Sequence, residues 1–236
     1  MNGIFYGIGV GPGDPELLTI KAMHAIAAAD VIIAPKTEKK DGSVALSTAK
    51  PYLKKNVEIV YQVFPMVADF ADSSTEAWEA NKAEILFLLR AGKNVAFLTI
   101  GDPMFYSTYI YVYRLLSQEN IQIETIPGIP AFCAIASKFG YPLVEGDDIF
   151  TVIPATAPKD KVEKALAAAD NVVMMKVYKN FSEIVGMLED KKLDRQAIMV
   201  SRCGLPDEQK IDDIASCRNQ KVNYLSTILT RKNKGE

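Results

Sequence analysis

A chain of 236 residues with 27 lysines and arginines against 29 aspartates and glutamates has a net charge of -2, so no basic field exists to draw in nucleic acid or an anionic membrane. Its composition, 49% hydrophobic and 24% charged, is that of a globular protein, and a chain this long buries roughly 70% of its unfolded surface without needing staples. One histidine (His24) and three cysteines (Cys133, Cys203, Cys217), with no CxxC pair and no metal-ligand spacing, argue for a reducing compartment and against a metal site.

Residues 4–10 form a short apolar run that ends in glycines, which predicts a buried strand. Asp14 offers an N-cap and Pro15 suits the first turn, so a helix is expected from there to about Ala29. Leu18, Ala22, Ala25 and Ala29 line one face of it, and Leu17, Lys21, His24 and Ala28 another. A second strand, 31–34, is expected to stop at Pro35, with a polar loop over 36–43 and a helix from Val44 to near Pro51. Residues 57–63 alternate as a strand. Ser73 and Glu76 have capping-box spacing, opening a helix that Gly92 would close. A strand over 95–100, a helix over 107–118 and a strand over 121–126 follow.

This alternation of apolar strand and helix predicts a parallel α/β domain over residues 1–126. After a helix near 130–139 the pattern changes. Strands are expected over 149–154, 172–177, 197–201 and 224–229, and helices over 158–169 and 181–189. Residues 207–220 fit a hairpin or a short helix. The fold class is therefore two α/β domains, the second a mixed sheet over 127–236. No apolar run approaches about 18 residues and no basic stretch opens the chain, so a soluble, cytoplasmic protein without membrane or nucleic-acid partners is expected.

Four segments have the residue types for chemistry. The first is Gly7-Ile8-Gly9-Val10-Gly11-Pro12-Gly13-Asp14-Pro15-Glu16. A dinucleotide loop fails here. Pro12 or Asp14 falls where the third glycine of GxGxxG belongs, and Asp14 and Glu16 place negative charge at the helix start where a pyrophosphate would need free N–H groups. A tight turn with no ligand accounts for these glycines equally well. The second is Ile100-Gly101-Asp102-Pro103-Met104-Phe105-Tyr106-Ser107, after the fourth strand, at the edge where open α/β sheets bind ligands. There Asp102 suits a cationic or hydroxyl-rich ligand, or else caps the next helix. Pro127-Gly128-Ile129-Pro130-Ala131 joins the two halves, and Met174-Met175-Lys176-Val177-Tyr178 reads by itself as a buried strand.

Taken in order, GxGxGDPxLLTxKA, GDPxFYS, PGIPA, MMKVY and the closing run 224–229 resemble the signatures of the tetrapyrrole (precorrin-type) methyltransferases, over nearly the whole chain. Ala34-Pro35-Lys36-Thr37, Lys39 and Gly42-Ser43-Val44-Ala45 are most similar to members that methylate C20 of precorrin-2 or cobalt-factor II. The resemblance implies S-adenosyl-L-methionine as cofactor, held in a cleft between the domains, a tetrapyrrole substrate and a homodimer. Carried over by motif, Pro12, Ile100, Gly101, Asp102, Phe105, Pro130, Ala131, Met175 and Gly204 are the cofactor contacts, and Asp102 is the candidate for a catalytic carboxylate. Lys36, Lys39, Lys40, Lys179 and Arg202 are candidate partners for the substrate carboxylates, although each also reads as a solvated surface cation. Alternatives are a methylase of another ring position or of diphthine synthesis, and a binding module without turnover.

Overall fold

The computed structural model describes residues 2–36, 42–64 and 76–232. It divides into two compact units, Met1–Pro130 and Ala131–Glu236. The first comprises β1 (Ile4–Gly9), α1 (Ile20–Ala28), β2 (Val31–Lys36), α2 (Val44–Ala49), β3 (Glu58–Val63), α3 (Glu76–Arg90), β4 (Val95–Thr99), α4 (Tyr109–Leu116) and β5 (Gln122–Ile126). Its strands form one sheet in the order β3-β2-β4-β1-β5, and every pairing is parallel.

Two-residue periodicity explains why its strands read as unbroken apolar runs. Ile8, Ile32, Ala96 and Leu98 face one way and bury against Ala22 and Ile26 of α1 and Ala45 and Ala49 of α2. Phe5, Val31, Ile33, Val95 and Phe97 face the other way and bury against Ile85 and Leu89 of α3 and Tyr109, Val112 and Leu116 of α4. The neighbouring strands β1 and β4 thus send the chain onward across opposite faces, β1 through α1 and β4 through α4. Their carboxyl ends are the switch point of the sheet.

Two expectations are corrected. The helix predicted from Asp14 begins only at Ile20. Asp14 caps a separate short 3-10 turn, Pro15–Leu17, its Oδ1 accepting the Glu16 N–H at 2.9 Å. Leu18 then turns extended, and the Thr19 hydroxyl caps α1 by accepting the Ala22 N–H at 3.1 Å. Nor does β2 stop at Pro35; it continues to Lys36. The Val31 N–H points toward the β4 side, where it meets the Asn94 carbonyl. In a parallel strand the nitrogens of Ile33 and Pro35 share that side. Pairing with β4 ends at Ile33 while pairing with β3 runs on to Val63, so the donor that proline lacks has no ladder partner to leave empty.

The second unit comprises α5 (Ala131–Phe139), β6 (Phe150–Pro154), α6 (Lys159–Ala168), β7 (Asn171–Met175), α7 (Phe181–Asp190), β8 (Ile198–Ser201), β9 (Gln209–Ile211) and β10 (Ser226–Arg231). Its sheet order is β6-β7-β10-β8-β9, with β6 and β7 parallel and the remaining pairs antiparallel. One face packs Val172, Met174, Met199 and Ile228 against Val162 and Leu166 of α6 and Ile184, Val185 and Leu188 of α7. The stretch 207–220, expected as a hairpin or a short helix, holds one strand, β9, whose partner β8 lies before it, and a three-residue 3-10 turn at Ala215–Cys217. Among the described residues no helix is long and apolar enough to cross a membrane, and no cluster of three or more His, Cys, Asp or Glu side chains could hold a metal.

Candidate active site

Three turns leave the carboxyl ends of β1, β4 and β5, and their backbones are in direct contact. Gly11 and Gly101 form an antiparallel bridge, the Gly101 N–H donating to the Gly11 carbonyl at 2.8 Å and the Gly11 N–H returning to the Gly101 carbonyl at 3.4 Å. Both adopt left-handed backbone, φ 74° and 70°, which a side chain would strain. A β-carbon on Gly9 would stand 2.6 Å from the Gly101 carbonyl oxygen, and one on Gly128 only 2.1 Å from it. At these positions glycine is required because backbone meets backbone.

Gly101 differs from its neighbours. A β-carbon there would meet one atom within 4 Å, the Pro130 Cα at 3.9 Å. The strand ends thus close on one another and leave open space beside the Gly101 backbone. Pro12 is buried next to this bridge, and Ile100 and Phe105 are half-buried on either side of the Gly101-Asp102-Pro103 turn, the Phe105 ring lying edge-on to Tyr106 at 4.9 Å.

Asp102 ties two of the turns together. Its Oδ1 accepts the Met104 N–H at 2.8 Å and its Oδ2 accepts the Gly128 N–H at 3.1 Å. It therefore does not cap the following helix; beside that helix start, the Ser107 Oγ accepts the Tyr109 N–H at 3.1 Å and shares a hydrogen bond of 2.8 Å with Thr99. The late start of α1 bears on the ligand as well. The Thr19 side chain caps that N-terminus at the Ala22 N–H, and the glycine turn leads into the short Asp14-capped 3-10 turn instead of into the open end of α1, where a pyrophosphate would bind.

In the second unit Met175 ends β7, half-buried, its carbonyl accepting the Ala155 N–H at 2.7 Å. Lys176 and Arg202, the residues following β7 and β8, are both left-handed, with φ 57° and 56°. Burial pushes the Lys176 ammonium below the usual lysine range. Gly204 is left-handed at φ 76°, and Ala131 opens α5.

The candidate substrate cations sit in different settings. Lys36 ends β2 with its ammonium 5.6 Å from the Tyr61 ring centre. Lys179 is exposed, 5.9 Å from the centre of the Tyr178 ring, which itself meets Tyr224 edge-on. Arg202 is already engaged, its Nε 2.5 Å from the Asp207 carboxylate, and its guanidinium holds Asp207 below the usual carboxylate range. Lys39 and Lys40 lie outside the described residues. His24 is exposed on α1.

Sequence reasoning found the glycine turns as separate motifs. It missed that Gly9, Gly101 and Gly128 are one backbone contact and that Asp102 spans two of them. The signal available was a glycine within two residues beyond each of the predicted strands 4–10, 95–100 and 121–126.

The model of the tetrapyrrole (corrin/porphyrin) methylases matches residues 5–215. The cobalt-precorrin-2 C(20)-methyltransferase of Salmonella typhimurium is 35% identical over 233 residues, covering 98% of each chain. A probable cobalt-precorrin-2 C(20)-methyltransferase of Methanocaldococcus jannaschii is 33% identical over 96% of this chain and 95% of its own. Among solved structures, a uroporphyrin-III C-methyltransferase of Thermus thermophilus complexed with S-adenosyl homocysteine superposes with TM-score 0.71 at 22% identity, covering 96% of this chain and 97% of that one. With a family match spanning both units, and full-length relatives above 30% identity, this chain belongs to the tetrapyrrole (corrin/porphyrin) methylases.

Proposed function

We propose that this protein transfers a methyl group from S-adenosyl-L-methionine to C20 of a tetrapyrrole of the precorrin-2 or cobalt-factor II type, in cobalamin biosynthesis. The observation that carries this reading is the 35% identity, over 98% of both chains, to an enzyme named for that reaction. The first unit fits such a cofactor. The space beside Gly101 admits a ligand against the backbone, and the carboxylates of Asp14 and Glu16, in the short turn that follows the glycines, disfavour a phosphorylated one.

Pro12, Ile100, Gly101, Asp102, Phe105 and Pro130 are the proposed cofactor contacts of the first unit, and Ala131, Met175 and Gly204 those of the second. When bound, S-adenosyl-L-methionine supplies an electrophilic methyl on sulfonium, whose departure leaves a neutral thioether. The protein therefore has no leaving group to protonate, and its main work is to hold nucleophile and methyl in line. The interlocked glycine turns suit that work because they are fixed by backbone contact instead of by mobile side chains. Asp102 is given a positioning role, since each of its oxygens accepts a backbone N–H, and the lone pairs that remain leave it able to accept a hydrogen bond from the cofactor. Lys36, Lys39, Lys40, Lys179 and Arg202 are proposed to meet substrate carboxylates, Arg202 at the expense of its pairing with Asp207. A homodimer in the cytoplasm completes the proposal.

Calorimetric titration is the test. S-adenosylhomocysteine should bind, NAD and ATP should not, and S-adenosylhomocysteine should accumulate when the methyl donor and tetrapyrrole are supplied together. Tight NAD binding, or cofactor binding without turnover, contradicts the proposal.

A further inference from the structure

The turn leaving β8 is built around one carboxylate. Glu208 is well shielded, its side chain 14% exposed, and its Oε1 lies 2.6 Å from the Lys138 ammonium near the end of α5. Its Oε2 accepts the Gly204 N–H at 2.6 Å, and the buried Cys203 thiol donates to the same carboxylate. Burial by itself would raise the pKa of this group, but Lys138, the Gly204 N–H and Cys203 outweigh it and hold it below the ordinary glutamate range.

The backbone it grips is unusual. Arg202 and Gly204 are both left-handed within three residues, and the turn closes through Leu205 N–H to the Arg202 carbonyl and Glu208 N–H to the Leu205 carbonyl, each at 3.0 Å. Left-handed backbone at a residue other than glycine persists only where its surroundings over-determine it. Here the surroundings are two carboxylates, Asp207 on Arg202 and Glu208 on Gly204. A turn serving only to join β8 to β9 needs no charged pin to a helix on another part of the unit.

We infer that Glu208 is a positioning residue for the cofactor: by holding the Gly204 N–H and the Lys138 ammonium together, it fixes the turn after β8 onto α5 and sets the Gly204 backbone for its cofactor contact. This inference rests on the reading of Gly204 given under the proposed function. It goes beyond that reading in assigning the second unit's cofactor affinity to an acid that touches only protein.

Glu208→Gln keeps the shape and removes the charge. Wild type, Glu208→Gln and Lys138→Met are compared by calorimetry with S-adenosylhomocysteine, by amide exchange of Gly204 in ligand-free protein, and by steady-state kinetics. Losing charge-assisted bonds should weaken S-adenosylhomocysteine binding roughly fivefold to thirtyfold in Glu208→Gln. The cofactor KM should rise in parallel, kcat should stay within about twofold of wild type, and the Gly204 amide should exchange faster. Lys138→Met, which leaves the Gly204 bond in place, should weaken binding less. Wild-type affinity or unchanged Gly204 exchange in a folded Glu208→Gln protein overturns the inference, as does a loss confined to kcat. If Glu208→Gln does not fold, Lys138→Met decides, and wild-type affinity in that variant overturns it. If wild type itself fails to bind S-adenosylhomocysteine, the functional reading falls and this inference falls with it.

Discussion

Replacing Gly128 by alanine sets a methyl group where two other turns already have backbone. The new carbon would lie 2.1 Å from the Gly101 carbonyl oxygen and 2.7 Å from the Gly9 carbonyl carbon, so Gly101 has to retreat by more than about 1 Å to restore ordinary contact. Gly128 needs no left-handed backbone, so the penalty is steric alone. Overpacking of this kind costs about 1–3 kcal/mol. The Asp102 bond to the Gly128 N–H stretches at the same time, and a hydrogen bond to a charged group is worth about 1.5–3 kcal/mol. A loss of about 3–5 kcal/mol is therefore expected, a large share of the roughly 5–15 kcal/mol that holds a typical protein folded. Gly101→Ala supplies the contrast. Its methyl meets only Pro130 Cα at 3.9 Å, so the cost is the left-handed backbone, about 1–2 kcal/mol, yet that methyl fills the space assigned to the cofactor. Trp78, the single tryptophan, is buried in the first unit and reports its unfolding in urea by fluorescence. Gly128→Ala should shift that midpoint strongly. Gly101→Ala should shift it less, while S-adenosylhomocysteine affinity falls at least about tenfold, the equivalent of about 1.4 kcal/mol. A Gly128→Ala protein as stable as wild type would refute the interlocked-turn account, and undiminished affinity in Gly101→Ala would show that nothing binds against that glycine.

Asp102→Asn replaces one acceptor by an amide donor facing a backbone N–H, so both stability and S-adenosylhomocysteine affinity should drop, stability by about 1.5–3 kcal/mol; an unchanged urea midpoint would leave Asp102 free for direct catalysis. Burial pushes the Tyr109 hydroxyl up to about 12, against about 10 in the unfolded chain, with its bond to Thr125 opposing and Tyr113 adding. The stabilisation from this neutral phenol is complete below pH 10 and is lost as pH rises toward 12, amounting to about 2–3 kcal/mol, so Tyr109→Phe should flatten the alkaline fall of the Trp78-reported midpoint. Changing Lys36, Lys39 and Lys40 together to serine removes three contacts of about 0.2–1 kcal/mol each, so the tetrapyrrole KM should rise roughly tenfold or more and lose much of its salt dependence while cofactor affinity stays the same.

The alternation of strand and helix in the first unit was legible because each strand is buried on both faces, which writes itself as runs such as Val31–Ala34 and Val95–Leu98. The second unit's core elements were legible for the same reason, Val172–Met174 between helices on one face and α5 against β10. What sequence could not give was the start of α1. Asp14-Pro15 carries every signal of a helix start, but Leu18 is drawn into the core and turns the chain, so the next eligible cap, Thr19, takes over. Pro35 misled because its effect depends on which side of β2 still has a partner, a fact of sheet order and not of local sequence. Asp102 was found at the right edge for an incomplete reason, since its two N–H partners include one from a turn 26 residues away. Glu208 gave no signal at all, because its significance lies in the left-handed Gly204 and distant Lys138 that it joins.

The most direct test supplies the enzyme with S-adenosyl-L-methionine carrying a carbon-13 methyl, in separate reactions with precorrin-2 and its cobalt form, and follows the product by mass spectrometry and carbon NMR. The account predicts one added methyl per macrocycle, a single enriched resonance assigned to the methyl on C20, and an equal quantity of S-adenosylhomocysteine. A label on any other ring carbon would contradict the assignment of position, and tetrapyrrole recovered unlabelled while the cofactor remains intact would contradict the assignment of function.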